Sequence, residues 1–469
     1  MKRVWAITCL TFKSASRFRL IPVLGALLLG AVVALPLVIK DDGTARGFAQ
    51  ILLTYTLSVI TALLGFATLW LACGTLAREV EECQMQLIAV KPVARWQIWL
   101  GKWLGIMMLN GLLLALSGGA VYFLLQWRAQ RLPEAQRKSL ESEVLVARGS
   151  AKESVPDLEP IVNEVLQKRL EQMHTRQAAM RPFDLQMLRN QIREQLKAEY
   201  QLVRPGFFRR WIISLGPEHE RLRDQPLFLR VKFSTTKRDE STTGPPQTYL
   251  TLWQIGVPDT PRLSRLSIKL AADSFQQFQI PPNLFDSNGV LTIDCINPND
   301  TDLLFQLEDG LEVLYPAGGF GLNFVRGLGI IYCWLALLAA IGLSAASFLS
   351  FPVATFFALG ILVIGLSSGT LQQIIQDRGI SEVNHDTGTI TNPLWFDHMS
   401  VFFFSAILKV VNLVQGFSPI DSLSTGRWIT WGQLGRAVGQ IVLLLGGAFS
   451  VLGISLFTRR ELATAQGNQ

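Results

Sequence analysis

Four histidines, five cysteines and a short run of carboxylates are the residues whose types allow chemistry. His385-Asp386 and Asp397-His398 share one polar stretch, where imidazole and carboxylate could meet a metal ion or a proton path. Capping of loop backbone by the aspartates is the simpler use of the same residues. His174 and His219 stand apart from them. No G-x-x-x-x-G-K-[ST] phosphate loop occurs, so hydrolysis of ATP in that manner is not expected of this chain. Cys9, Cys73, Cys83 and Cys333 lie in or beside apolar runs and Cys295 stands alone in a polar region, which suits neither a disulfide framework nor a C-x-x-C metal site. The sequence therefore predicts no catalytic residues, no metal site and no cofactor of its own.

The densest charge beside apolar sequence is the stretch Leu76 to Gly105. Arg78, Glu79, Glu81, Glu82, Gln84 and Gln86 alternate with Val80, Met85, Leu87 and Ile88, a mixture that suits a short helix at a membrane surface. Pro92 stops it, and Arg95, Trp96, Trp99, Lys102 and Trp103 then place basic and indole side chains at headgroup level. This run, with Lys91-Pro92-Val93 and Gly101-Lys102, resembles the loop between the second and third spans of permease subunits of ATP-binding-cassette transporters, in the second permease class common among exporters. Cys83-Gln84 stands where that family often has Gly-Thr.

The resemblance implies a cytoplasmic coupling helix over about residues 77–97. On it, Glu79, Glu81 and Glu82 would be polar contacts, Leu87, Ile88 and Val90 the apolar docking face, and Arg95 a further contact, all toward an ATPase subunit. It further implies two such ATPases carrying the ATP and Mg, and a second permease subunit, identical or related. The charges also admit a plainer use, keeping the elbow out of lipid.

The elements that must position this elbow follow from hydropathy. Of 469 residues, 49% are hydrophobic and 17% charged, and the mean hydropathy of +0.31 is too high for an ordinary soluble chain. The net charge of +7 gathers at the ends of apolar runs, as membrane orientation requires, and no nucleic-acid motif accompanies it. Six spans are expected near Leu20 to Ile39, Phe48 to Leu76, Ile98 to Leu125, Leu322 to Leu349, Phe351 to Leu371 and Leu434 to Phe457. The first run lacks a small-residue cleavage site and reads as a retained span. Basic residues in the N-terminal arm, the elbow and Arg459-Arg460 place all three in the cytoplasm of a bacterial-type inner membrane. Arg326 and Arg436 fall near the outward ends of their spans, where snorkelling accounts for them.

The predicted class is thus a membrane α-helical bundle of six spans with an extracytoplasmic α+β insertion. The boundaries are residues 1–125 for the first three spans, 126–205 for a helical hairpin, 206–320 for an antiparallel β-sandwich, jelly-roll-like, and 321–469 for the remaining spans. Apolar residues at Ile161, Val165, Leu166 and Leu170, then Leu185, Leu188, Ile192 and Leu196, carry the helical period. Short alternating runs between turn clusters such as Asn288-Gly289 and Asn297-Pro298-Asn299-Asp300 carry the strands. Within the sandwich, Trp253, Phe275, Phe278 and Phe305 are open to two readings, a sugar-stacking face or a core. An apolar piece at about 394–415, with Lys409 inside it, reads as a re-entrant or interface-lying helix.

Function follows as expectation: a permease subunit of an ATP-driven exporter for a bulky or amphipathic substrate, in contact with membrane lipid. The alternative is a membrane-anchored module whose sandwich binds a glycan, an envelope protein or another periplasmic or cell-wall partner without transport.

Overall fold

The computed structural model describes residues 2–17, 20–38, 44–82, 93–154, 157–172, 182–216, 219–235, 247–258, 260–307, 309–366, 383–384, 389–390, 404–405, 407–414 and 416–460. They form two compact units, one of residues Met1–Ala147 with Gly318–Gln469 and one of Arg148–Ala317.

The first unit is helical. Its elements in chain order are α1 (Lys2–Arg17), α2 (Leu20–Val38), α3 (Ala45–Glu81), α4 (Arg95–Ala129) and α5 (Glu134–Glu143). Among the described residues, four helices are long and apolar enough to cross a membrane: α3 at 37 residues, α4 at 35, and two reached after the second unit, Phe320–Ala346 at 27 and Trp431–Arg459 at 29. Helix α2 and the later helix Phe351–Leu366 carry shorter apolar stretches, Ile21–Leu35 and Phe351–Gly365. Two of these long helices are capped by their own side chains: Thr44 accepts a hydrogen bond from the Gly47 amide at 3.0 Å, and Thr430 with Gln433 forms a reciprocal capping box.

The amphipathic N-terminal arm is helix α1, packed on the first turns of α4. The approach is close because Gly101 and Gly105 face it. A Cβ at Gly101 would sit 2.8 Å from the Ile7 side chain, and one at Gly105 2.7 Å from Thr11. Helix α5 also belongs to this unit, packing on α3 with Arg46 paired to Glu143 at 2.7 Å. The unit boundary therefore falls at Arg148, and residues 126–147 stay with the helices.

The second unit opens with β1 (Val146–Ala151), continues through α6 (Glu159–Gln172) and α7 (Pro182–Gln201), and then runs through short strands. These are β2 (Leu202–Val203), β3 (Phe208–Ser214), β4 (Leu227–Val231), β5 (Ser234–Thr235), β6 (Thr248–Gly256), β7 (Leu263–Ala271), β8 (Gln276–Ile280), β9 (Val290–Ile296), β10 (Leu303–Leu304) and β11 (Leu311–Gly319). Two four-stranded sheets, ordered β1-β11-β4-β8 and β3-β9-β6-β7, enclose one core, and β2-β10-β5 adds a small third sheet. The alternation seen in sequence is the reason: Leu227, Leu229 and Val231 face inward from one sheet, and Trp211, Ile213, Trp253, Ile255, Leu291 and Ile293 from the other. Register sets Trp211 opposite Ile293 and Trp253 opposite Cys295. Asn297, wholly buried, donates to the carbonyls of Val203 and Thr301 at 2.9 and 2.8 Å, so the turn that follows β9 is held from inside.

Helices α6 and α7 pack together, and Glu159 is their clasp. Its carboxylate accepts from Arg193 and, at 2.6 Å, from Arg189, and these hydrogen bonds hold its carboxyl below the usual carboxylate range. A depressed folded value gives a contribution that is complete above the unfolded carboxylate pKa of about 4.3 and is lost as pH falls through the folded value. The difference in thermal stability between the full chain and Glu159→Gln is accordingly expected to be largest at about pH 6 and to shrink as pH falls below the ordinary carboxylate range. A difference that grew on acidification would mean that the clasp does not operate.

After the second unit the chain returns as α8 (Phe320–Ala346) and α9 (Phe351–Leu366). The paired strands β12 (Val383–Asn384) and β13 (Thr389–Ile390) and helical residues 407–414 follow. The chain then forms a short helix α10 (Pro419–Ser424) and the final helix α11 (Trp431–Arg459), in which Val438–Gly446 is wound as π-helix. Helix α8 is the pillar of the unit: it packs on α3, α4, α9, α10 and α11, and 72% of its apolar window is buried against 28% for α11. The segment expected to be re-entrant, about 394–415, lies largely outside the described residues. Just beyond it, Leu423 of α10 is fully enclosed and fits against Gly327, where a Cβ would have no room.

Candidate functional site

The charged elbow is built from α3 and α4, which flank residues 83–92. Leu87, Ile88 and Val90, the expected docking face, lie outside the described residues. The flanking acids and bases are described, and Glu79, Glu81 and Arg95 each tie one helix of the unit to another. Glu79, near the end of α3, accepts from Lys102 Nζ of α4 at 2.6 Å, and the same ammonium donates to the Thr75 carbonyl at 2.9 Å. The Lys102 side chain is 3% exposed and that of Glu79 is 29% exposed. An ammonium this deep is tolerable only with such partners.

One turn on, Glu81 Oε1 accepts from the Phe351 amide at 2.7 Å, where α9 begins. A carboxylate there satisfies an otherwise orphan N–H and meets the positive end of the helix dipole. Arg78 lies over the Phe351 ring at 4.1 Å, and Trp70 meets that ring edge-on. Glu82 is exposed at the helix end. On the other flank, Arg95 donates to the carbonyls of Phe457, Thr458 and Arg460 at 2.6, 2.8 and 2.8 Å, capping the C-terminus of α11. Arg460 in turn reaches the Ala346 and Ser347 carbonyls at the end of α8.

Glu79, Glu81 and Arg95 thus have definite partners within this chain. The three elements that end or begin there, α8, α9 and α11, and the α3–α4 pair are joined by charge-assisted hydrogen bonds around residues 83–92. Lys102 and Arg460 are the members that sequence reasoning did not pick out. For Lys102 a signal existed: Gly101 and Gly105, four apart, place that face of α4 in close packing rather than at a headgroup.

Comparison of the chain with models of protein families finds no match, and comparison with curated proteins finds no similar protein.

His174, His385, Asp386, Asp397 and His398 lie outside the described residues. His219 Nδ1 is 3.0 Å from the Gly216 carbonyl and its ring sits edge-on to Phe285, a turn contact. No group of three metal-ligating side chains occurs among the described residues. A Gly-x-Ser-x-Gly run, Gly365 to Gly369, begins inside helix α9, so no strand leads into it as a nucleophile elbow requires, and Ser367 lies outside the described residues. Cys73, Cys295 and Cys333 are buried free thiols, and burial pushes that of Cys295 well above the usual range.

Of the four sandwich aromatics, Trp253 and Phe305 belong to the core, Phe278 packs against it, and Phe275 is 45% exposed. Trp253 and Phe305 are 1% and 0% exposed, Phe278 packs beside Trp253, and Phe275 is flanked by Arg230 and Lys232. Arg326 does not snorkel: it is 9% exposed, donates to the Ile429 carbonyl at 3.0 Å and lies over Trp431.

Proposed function

We propose that the chain is the permease subunit of an ATP-driven export complex, with six spans, both termini in the cytoplasm of a bacterial-type inner membrane, and the sandwich unit outside. What carries the reading is the elbow. The residues flanking 83–92 hold α3, α4, α9 and α11 at one end, so a push on the elbow would act on those helices together. A soluble ATPase docking there through Leu87, Ile88 and Val90 would have mechanical purchase on the unit. In this reading the described elbow charges set the geometry of the seat, and Glu82 is the acid placed for the partner. ATP and Mg belong to the partner, two copies of which would act on two permease subunits, identical or related. A bulky or amphipathic cargo fits spans with few ionisable groups.

Purification of the solubilised chain from its native host is expected to recover an ATP-binding-cassette ATPase, and Leu87→Glu/Ile88→Glu to lose it while retaining the fold. Recovery of no such ATPase with the unaltered chain would overturn the reading. Single introduced cysteines at Arg95 and Thr248 are expected to label from opposite sides of the membrane. Labelling of both from one side would remove the topology on which the proposal rests.

A further inference from the structure

We propose that a cleft between residues 407–422 and the first turns of α11 binds a phosphate-type anionic group, independently of any ATPase partner. The cleft has a volume of about 470 Å³ and is lined by Lys409, Asn412, Ser422, Arg436 and Gln440 over an apolar floor that includes Ile330. Both charged residues among its described lining are cations. Both are exposed, and neither is ion-paired among the described residues, so each is free to take an anion that enters the cleft. Two cations with amide and hydroxyl donors beside them match the oxygens of a phosphate.

The wall is built, not incidental. Asn323 of α8 accepts from the Ile429 amide and donates to the Arg427 carbonyl, both at 2.7 Å, and Arg326 takes the Ile429 carbonyl. A third cation is therefore spent on holding the wall, leaving Lys409 and Arg436 to face the cleft. A second feature points the same way. The nine residues Val438–Gly446 are π-helix, and Gln440, which lines the cleft, belongs to them. Such windings are rare and frequent at functional sites. Depth also fits. Trp428 and Trp431 are partly exposed at the start of α11, where indoles settle at a lipid interface, and Arg436 lies about 7 Å further along the helix at 1.5 Å per residue.

A lipid headgroup and free phosphate both present this chemistry, and the test separates them. Full-length protein in nanodiscs is titrated with spin-labelled phosphatidic acid and phosphatidylcholine. The unaltered chain is expected to favour phosphatidic acid by about tenfold, reflecting two cations near the anion. Lys409→Gln/Arg436→Gln should abolish that preference, Lys409→Arg/Arg436→Lys should keep it, and Lys2→Ala/Lys13→Ala, which removes equal charge elsewhere, should leave it unchanged. Should the double glutamine variant fail to fold, each single glutamine variant is expected to lose several-fold. Displacement of the lipid by excess inorganic phosphate assigns the site to free phosphate, and resistance to displacement assigns it to the headgroup. Equal preference in the unaltered chain and the glutamine variants overturns the proposal.

Discussion

Glu79→Ala is expected to destabilise the helical unit by roughly 3 kcal/mol, at the lower end of what removing one partner of a buried ion pair costs. The reason is the ammonium left behind. Lys102 is 3% exposed, and losing the carboxylate 2.6 Å away leaves it the neutral Thr75 carbonyl at 2.9 Å. Water reaches Glu79, 29% exposed, and softens the loss, which places the expectation at the low end. In a fixed detergent the unfolding midpoint should fall by roughly 5–10 °C. The informative control is Glu79→Ala/Lys102→Met, in which no charge remains to be desolvated. It should recover most of the loss, since an apolar pair of similar volume often matches a buried ion pair. A double variant less stable than Glu79→Ala would show that the pair is not what joins α3 to α4.

Trp253→Ala is expected to cost the sandwich about 3–5 kcal/mol. The ring is 1% exposed and meets Trp211, Phe278 and Phe305, so its removal leaves a cavity that three other aromatics cannot collapse to fill. The hydrogen bond lost from the indole to Thr251 Oγ1 adds little, because that hydroxyl still donates to the Ile268 carbonyl at 2.9 Å. Cys295, paired in register with Trp253, is a built-in reporter. It is fully buried and burial holds it as the neutral thiol, so alkylation requires the sandwich to open. Peptide-resolved labelling of Cys295 in the full chain should accelerate by roughly a thousandfold in Trp253→Ala, the ratio that about 4 kcal/mol represents at 1.36 kcal/mol per decade. A rate within a few-fold of the unaltered chain would place Trp253 outside the core, and the sugar-stacking reading would return.

The parts of the fold that were legible are those where one physical rule acts alone. Hydrocarbon thickness demands long apolar runs, so the stretches Phe48 to Leu76 and Leu434 to Phe457 lie within α3 and α11. Alternation between core and solvent demands period two, so Tyr249 to Val257 and Val290 to Ile296 correspond to β6 and β9. Strand β1 escaped because Val146–Ala151 carries Arg148, Gly149 and Ser150 and shows no apolar alternation. Its burial comes from neighbouring strands, which is a tertiary fact. The site was legible as a place and not as a geometry. Charge beside Pro92 marked the elbow, but nothing local says that Glu79 meets Lys102 or that Arg95 meets the carbonyls of residues 457–460, which lie far along the chain. Arg326 was misjudged for the same reason: a guanidinium near a helix end has the same sequence signature whether it reaches water or a buried carbonyl.

The placement of α8 at the centre of its unit has a consequence for biogenesis. Helices α2, α3 and α4 are synthesised first, yet the helix on which the latter two pack follows the whole of Arg148–Ala317. At ~5–20 residues per second, about 170 intervening residues delay its arrival by on the order of ten to thirty seconds. During that interval Lys102 sits in an assembly that still lacks α8. Glu79 is only 23 residues upstream, so the charge can be neutralised within the nascent α3–α4 hairpin before the ribosome delivers the rest.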